Sequence, residues 1–199
     1  MNHAALAPAR AATVDAALPY GSDCVQALAG RPYREALRLR DGRQVTLRPA
    51  HHSDVAALRQ FFFGGLSPRA RLLRFHGAVN ALPESALRAM TTQVPQRHLA
   101  LVATATTDDG LRQLLAEARY VVEEGTDTAE FAVAVADAWQ GQGLARALLQ
   151  RLAAHARSQG LAALHGGVVP GNEPMLRLMQ KLGATLHGHA PEVRVHLPL

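Results

Sequence analysis

The feature that most constrains the fold is a strand, a glycine-rich loop and a helix that follow one another along the chain. Apart from Glu130, residues 129–136 are apolar and partly β-branched, which is typical of a buried strand. Residues 143–159 carry apolar side chains at the spacing of one helical face, and Gly160 follows as a C-cap. The strand needs neighbouring strands and the helix needs a surface to cover, so this unit predicts a layered α/β domain.

The loop between this strand and helix, residues 140–145, has the chemistry of a diphosphate site. Free backbone N–H groups and the positive end of the helix dipole meet there, and glycine allows a ligand to approach the backbone. A Walker loop is disfavoured because no lysine lies near it. A dinucleotide-binding loop is disfavoured because it needs a small residue where Arg146 stands.

The rest of the chain predicts the fold class α/β (α+β), with a mixed, twisted sheet of about six to seven strands flanked by helices. An Asp41-Gly42 turn predicts a hairpin, and helices are expected after Ser53, after Ser67 and after Pro83. Residues 1–31 are interpreted as an N-terminal leader or arm, and residues 32–199 as the domain. Further strands are expected at 98–104, 114–122, 164–169, 184–186 and 193–197. A further helix is expected at 172–182.

Composition excludes several classes of function. No apolar run approaches the roughly 18 residues of a membrane span, and the start of the chain lacks a secretory signal, so a soluble cytoplasmic protein is expected. Cys24 is the one cysteine, which excludes an intrachain disulfide and a Cys-based zinc site. The histidines have no metal-ligand spacing, so no metal is predicted.

The net charge of +5 is carried by arginine, with Lys181 as the single lysine. The arginines are scattered singly, without a basic run or an interleaved aromatic platform, so nucleic acid is not expected as a partner. A phosphorylated cofactor would also be attracted by such a field.

Two motifs in order resemble the acetyl-coenzyme A site of the GNAT superfamily of N-acetyltransferases. The first runs from Ala129 through Trp139 and the loop to Leu149, and its loop matches Q/R-x-x-G-x-G/A. The second comprises residues 169–175 and 182–184. Segments 47–49, 62–68 and 73–75 more narrowly resemble the GNAT domain of bacterial protein lysine acetyltransferases.

This resemblance implies a fold and a set of site residues. In the family, the strand before the loop separates from its neighbour and its backbone pairs with the pantetheine arm. A backbone N–H near Val135 would then stabilise the oxyanion that forms when an amine attacks the thioester. Asn172 is placed near the cofactor, although an ordinary helix N-cap explains it equally well. The implied cofactor-binding residues are Val133, Ala134, Val135, Gln140, Gly141, Gln142, Gly143, Leu144, Ala145, Arg146 and Asn172.

Glu130 is implied as the catalytic base, because a lysine amine with a pKa of about 10.4 must lose a proton before it reacts. Its position in an otherwise apolar strand suggests partial desolvation, whereas a solvated residue at the strand entry is the alternative. Many family members use a tyrosine after the second motif as general acid, but no tyrosine follows Tyr120.

The function implied is therefore transfer of acetyl from acetyl-coenzyme A to a primary amine, with a protein lysine as the first candidate. A small-molecule amine acetyltransferase and a non-catalytic acyl-coenzyme A sensor are the alternatives. The oligomeric state, monomer or dimer, is left open.

Overall fold

The computed structural model describes residues 12–13, 33–94, 96–107, 110–188 and 192–199. The leader apart from Ala12–Thr13, which includes Cys24, therefore lies outside the described residues. Within them the chain forms one mixed sheet with helices on both faces, so the predicted α/β class is confirmed.

Nine strands make up the sheet formed by the described residues. They are β1 (Ala12–Thr13), β2 (Glu35–Arg38), β3 (Gln44–Pro49), β4 (His98–Thr106), β5 (Arg112–Val122), β6 (Thr128–Val135), β7 (Ala163–Val168), β8 (Thr185–His187) and β9 (Val193–Pro198). The sequence predicted about six or seven, and the strand that it did not indicate is β1, which has two residues and lies in the segment interpreted as a leader.

The α-helices are α1 (Val55–Gln60), α2 (Pro68–Phe75), α3 (Glu84–Thr91), α4 (Leu144–Ser158) and α5 (Glu173–Lys181). A 3₁₀-helix, His52–Asp54, precedes α1, and a π-helix, Phe61–Gly65, continues it. His51, not Ser53, accepts the capping hydrogen bond there. A second 3₁₀-helix, Asp137–Trp139, follows β6.

The order of strands in the sheet is β1-β2-β3-β4-β5-β6-β7-β9-β8. Neighbours are antiparallel except for β1 with β2 and β6 with β7. The predicted hairpin joins β2 to β3, although its loop spans residues 39–43 because Arg38 pairs with Gln44. Helix α4 forms the crossover between the parallel strands β6 and β7, as parallel pairing requires.

Strands β6 and β7 separate soon after they meet. Their register runs only through Thr128↔Ala163, Ala129↔Leu164 and Glu130↔His165. Strand β6 then continues along β5 as far as Val135, while β7 continues along β9. From residue 131 to residue 135 the β7-facing edge of β6 is therefore left without a neighbouring strand.

Each face of the sheet buries its own core. On one face α4 and α5 cover the sheet, with Leu148, Leu152 and Met179 packed against residues such as Tyr120. On the other face the segment from α1 to α3 packs against β4, β5 and β6 through two fully buried side chains, Phe62 and Leu87. Strand β6 is thus held between two helical layers.

A buried polar pair links the sheet to α4. The Tyr120 hydroxyl lies 2.7 Å from Nδ1 of His155, to which it donates when the imidazole is neutral. Burial raises the pKa of Tyr120 to about 12 and lowers the pKa of His155. Tyr120 is therefore a core residue, and it lines neither of the clefts described below.

We predict that stability falls in mild acid because of this pair. The unfolded chain binds a proton at His155 near pH 6.5, whereas the folded protein resists it, so unfolding becomes easier as the pH drops below that value. One such group changes the free energy of unfolding by up to about 1.4 kcal/mol per pH unit. Denaturant unfolding between pH 5 and pH 8 measures this slope.

The double variant Tyr120→Phe/His155→Phe should show a smaller slope, with the remainder supplied by His98, whose pKa burial also lowers. A matched His52→Phe variant, at an exposed site, should keep the parent's slope. An equal slope in the double variant and the parent would contradict this prediction.

Candidate functional site: two clefts along one strand

A cleft of about 760 Å³ lies beside the unpaired part of β6. Its walls come from α2, from the end of β6, from the loop before α4 and from α5. Of the residues predicted to bind a cofactor, those that line it are Val133, Ala134, Val135, Gln140, Gly141, Gly143, Leu144, Ala145, Arg146 and Asn172. Gln142 does not line this cleft, and Glu130 lies in a second one.

The glycine-rich loop has the conformation that its sequence predicts. Gly141 and Gly143 have φ values of 73° and 91°, a region that non-glycine residues rarely occupy. Gly143 is the N-cap of α4, so the first N–H groups of the helix have no partner within it. The Gln140 side chain donates to the Val135 carbonyl at 3.1 Å and joins the loop to the end of β6. The loop can therefore bind an anion through its backbone.

Asn172 combines the two interpretations that its sequence position allows. Its side-chain oxygen accepts from the Met175 N–H at 3.4 Å, as expected of the N-cap of α5, and the residue also lines the cleft.

A basic rim surrounds the mouth of the cleft, and the sequence did not reveal it. The residues come from separate elements and are isolated along the chain, so only the fold brings them together. One of these residues, Arg69, donates a hydrogen bond to the Gly171 carbonyl at 3.4 Å, and this bond links α2 to the loop before α5. The basic rim consists of Arg40, Arg69, Arg146, Arg177 and Lys181, of which only Arg146 was predicted to bind a cofactor.

The two main walls of the cleft are joined at Ser67. Its backbone N–H and its hydroxyl both donate to the Asp137 carboxylate, each at 2.8 Å. The Ser67 hydroxyl also accepts from the Ala70 N–H at 3.2 Å and so caps α2. Because Asp137 directly follows β6, this contact fixes α2 relative to the glycine-rich loop.

Glu130 lies in a second cleft, of about 680 Å³. This second cleft is also lined by the carboxylates of Glu123 and Glu192 and by one arginine side chain, that of Arg194. The expected partial desolvation of Glu130 is wrong, because the residue is exposed. His165, His187 and His196 also line this cleft, whereas His189 lies outside the described residues.

Two glycines of β7 shape the boundary of the second cleft. A Cβ atom at Gly166 would lie 3.1 Å from the Phe131 carbonyl oxygen and 3.2 Å from its ring. A Cβ at Gly167 would overlap the Glu192 carboxylate, whose Oε1 is 1.1 Å from that position. Glycine at both positions lets Phe131 and Glu192 lie directly against β7.

A buried ion cluster lies between the clefts, and sequence reasoning missed it entirely. Glu117 is fully buried in β5, and its carboxylate accepts from Arg74 at 3.1 Å and from Arg119 at 2.9 Å. Burial opposes ionisation of Glu117, but the two guanidinium groups outweigh it and hold the pKa of that carboxyl below its usual range. Arg74 also lines the first cleft. A charged pattern in an apolar strand, Ala-Glu-Ala-Arg, was the available signal.

Among the described residues, no group of three or more His, Cys, Asp or Glu side chains is arranged to hold a metal ion. Within the same residues no helix has the length and apolar character to cross a membrane.

The model of the acetyltransferase (GNAT) family matches residues 83–184, which include β6, the glycine-rich loop and the start of α5. The chain belongs to the GNAT acetyltransferase family. An acetyltransferase of Pseudomonas aeruginosa is 34% identical over 147 residues, which are 73% of this chain and 77% of that protein.

Solved structures agree with this assignment. The GNAT domain of PAT from S. lividans superposes with a TM-score of 0.74 at 28% identity, over 83% of this chain and 97% of that domain. A putative acetyltransferase from Salmonella typhimurium, solved with its cofactor acetyl-CoA, shares the fold at 22% identity and a TM-score of 0.58. It covers 78% of this GNAT acetyltransferase and 92% of the other chain.

We predict that Gly143→Val weakens acetyl-CoA binding at least tenfold. The new side chain would crowd the loop, and a β-branched residue resists a φ of 91°. Calorimetric titration with acetyl-CoA measures the change. Gly160→Val is the matched control, since Gly160 has a φ of 80° at the other end of α4 and lines neither cleft.

The Gly160→Val control should lose stability to a similar extent as Gly143→Val, and it should keep the parent's affinity for acetyl-CoA. Equal affinities in folded Gly143→Val and in the parent would remove the loop from the binding site.

Proposed function

We propose that this GNAT acetyltransferase transfers acetyl from acetyl-CoA to the nitrogen of a primary amine, with a protein lysine as the preferred acceptor. The observation that carries the proposal is the position of the two clefts on β6. Val133–Val135 line the first cleft and Glu130 lines the second, only three residues earlier on the same strand. A strand rises about 3.3 Å per residue, so the two sites are about 10 Å apart.

The first cleft suits acetyl-CoA in shape and in charge. The glycine-rich loop and the N-terminus of α4 offer backbone donors to a diphosphate, and the basic rim offers cations to the remaining phosphate. The unpaired edge of β6 can bind an extended amide chain as an added strand would. The putative acetyltransferase from Salmonella typhimurium, which has the same fold, was solved with this cofactor.

Acetyl-CoA would supply the activated acetyl group, and the protein would supply positioning and electrostatic stabilisation. A backbone N–H of the unpaired segment near Val135 is suited to donate to the thioester oxygen as it becomes negative. Such a donor contributes on the order of 3 to 4 kcal/mol in well-studied enzymes. Close positioning of the two reactants adds to this effect.

The second cleft suits a cationic acceptor. Three carboxylates, from Glu123, Glu130 and Glu192, face one arginine, Arg194, so the field favours an ammonium group at neutral pH. Glu130 is the carboxylate beside the point where the strands separate, and we assign it the role of base. It would accept the proton of the amine directly or through one water.

The preference for a protein lysine is supported by the segments that resemble bacterial protein lysine acetyltransferases. Two residues of these segments hold the fold together in this chain. Arg48 makes two 2.7 Å hydrogen bonds to Asp54, and Ser67 joins α2 to Asp137. The similarity to the GNAT domain of PAT from S. lividans covers nearly that whole domain. A screen of lysine-containing proteins and small amines for acetyl-CoA consumption tests this choice.

We predict that Glu130→Gln keeps the parent's acetyl-CoA affinity and lowers turnover about 100-fold or more at neutral pH, the usual contribution of a general base. The amide keeps the size of the side chain but does not accept a proton. The difference should narrow as the pH rises toward the lysine pKa of about 10.4, because more acceptor is then already deprotonated. A pH–rate profile on one accepted amine measures it.

Glu124→Gln is the matched control, because Glu124 is highly exposed and lines neither cleft. The turnover of Glu124→Gln should equal that of the parent at every pH. If Glu130→Gln does so too, Glu130 is a solvated strand residue and not the base.

A further inference from the structure

The buried ion cluster contains a side chain whose donors are only partly used by the protein, Arg74. Arg74 projects from the last turn of α2, its side chain is only 7% exposed, and its Nε has no hydrogen-bond partner among the described residues. A buried donor without a partner costs stability. Arg74 nevertheless lines the first cleft beside Val133, Ala134 and Val135.

We propose that the Arg74 guanidinium binds the sulfur of coenzyme A and stabilises the thiolate that leaves when the acetyl group is transferred. This inference rests on the proposed function and adds to it a residue for the leaving group. Such a group is needed because no tyrosine follows Tyr120 in the sequence, and Tyr120 itself is buried against His155.

The cluster holds Arg74 in place and leaves it with an excess of positive charge. Glu117 bonds to Nη2 of Arg74, and Arg119 bonds to the same carboxylate, so two cations share one anion. The rings of Phe62 and Phe75 lie 5.7 Å and 5.1 Å from the Arg74 guanidinium carbon and restrict its movement. The net charge of the cluster is +1, within a mostly water-excluded part of the sheet.

The register of the sheet brings this charge to the unpaired segment of β6. Glu117 pairs with Ala134, and Arg119 pairs with Ala132. The small alanine side chains leave space on this face of β6 for the guanidinium. Glu130 lies on the same strand, two residues before Ala132 and four before Ala134.

The chemistry balances without a proton donor in the protein. The amine nitrogen forms a bond to the thioester carbon, the C–S bond breaks, and its electron pair goes to sulfur. The ammonium acceptor loses two protons in all: Glu130 takes the first, which frees the nitrogen to attack, and the second leaves the nitrogen for solvent as the amide forms. The thiolate leaves paired with Arg74, whose guanidinium stays charged through the reaction, and is protonated later by solvent.

The test measures the ionisation of bound coenzyme A, which requires neither an acceptor nor turnover. The ultraviolet absorbance of the thiolate is followed against pH for free coenzyme A and for coenzyme A bound to the protein. In the parent, the thiol should ionise at least one pH unit lower when bound, a tenfold change in its ionisation constant. In Arg74→Met this shift should disappear.

Two further variants separate this role from folding. Arg71→Met removes an arginine of the same helix that bonds to the Leu66 carbonyl and lines neither cleft, so it should keep the full shift. Arg74→Met/Glu117→Gln/Arg119→Met removes the whole cluster, so that no buried charge is left unpaired, and it should lose the shift as Arg74→Met does.

Each outcome has one meaning. A parent that binds coenzyme A, measured by calorimetry, but does not lower the ionisation pH of its thiol overturns the role of Arg74 and leaves the proposed function standing. An equal shift in the parent and in the folded Arg74 variants also overturns it. A parent that does not bind coenzyme A or acetyl-CoA overturns the proposed function itself.

Discussion

The separation of β6 from β7 after Glu130 is the constraint on which the rest of the structure depends. Backbone N–H and C=O groups require partners, so a central strand with one free edge is a costly arrangement that an extended ligand can relieve. The strand stays in place because β5 pairs with it along its length and helices cover both faces. The sheet thus supplies a rigid binding edge without any specialised side chain on it.

Contacts distant in sequence keep this opening at a fixed width. Ser67 holds the start of α2 to Asp137, while Gly166 allows Phe131 to lie against β7 on the other side. Neither contact is strong alone, but both act on residues next to the unpaired segment. Movement of α2 would displace Arg74 and the mouth of the first cleft together, so the geometry of binding and that of the proposed chemistry are coupled.

Local patterns predicted the parts of the site that lie close together in sequence. The strand, the loop and α4 were predicted within one or two residues, since apolar periodicity and glycine at positive φ are local properties. The basic rim and the Arg74–Glu117 pair were not predicted, because their members are dozens of residues apart. The exposure of Glu130 was also missed, because it depends on which parts of the chain cover that face of β6 and not on the strand's own composition.

The use of arginine in place of lysine has a chemical consequence for a site of this kind. A guanidinium remains protonated at all accessible pH values and is a poor nucleophile, so it can bind phosphates and a thiolate without accepting an acetyl group. A lysine in the position of Arg74, buried beside the proposed acetyl group, would lose its proton more easily and compete with the acceptor. Lys181, the single lysine, lies instead on the rim at the end of α5. The composition therefore suits a protein that must bind an activated acyl group without reacting with it.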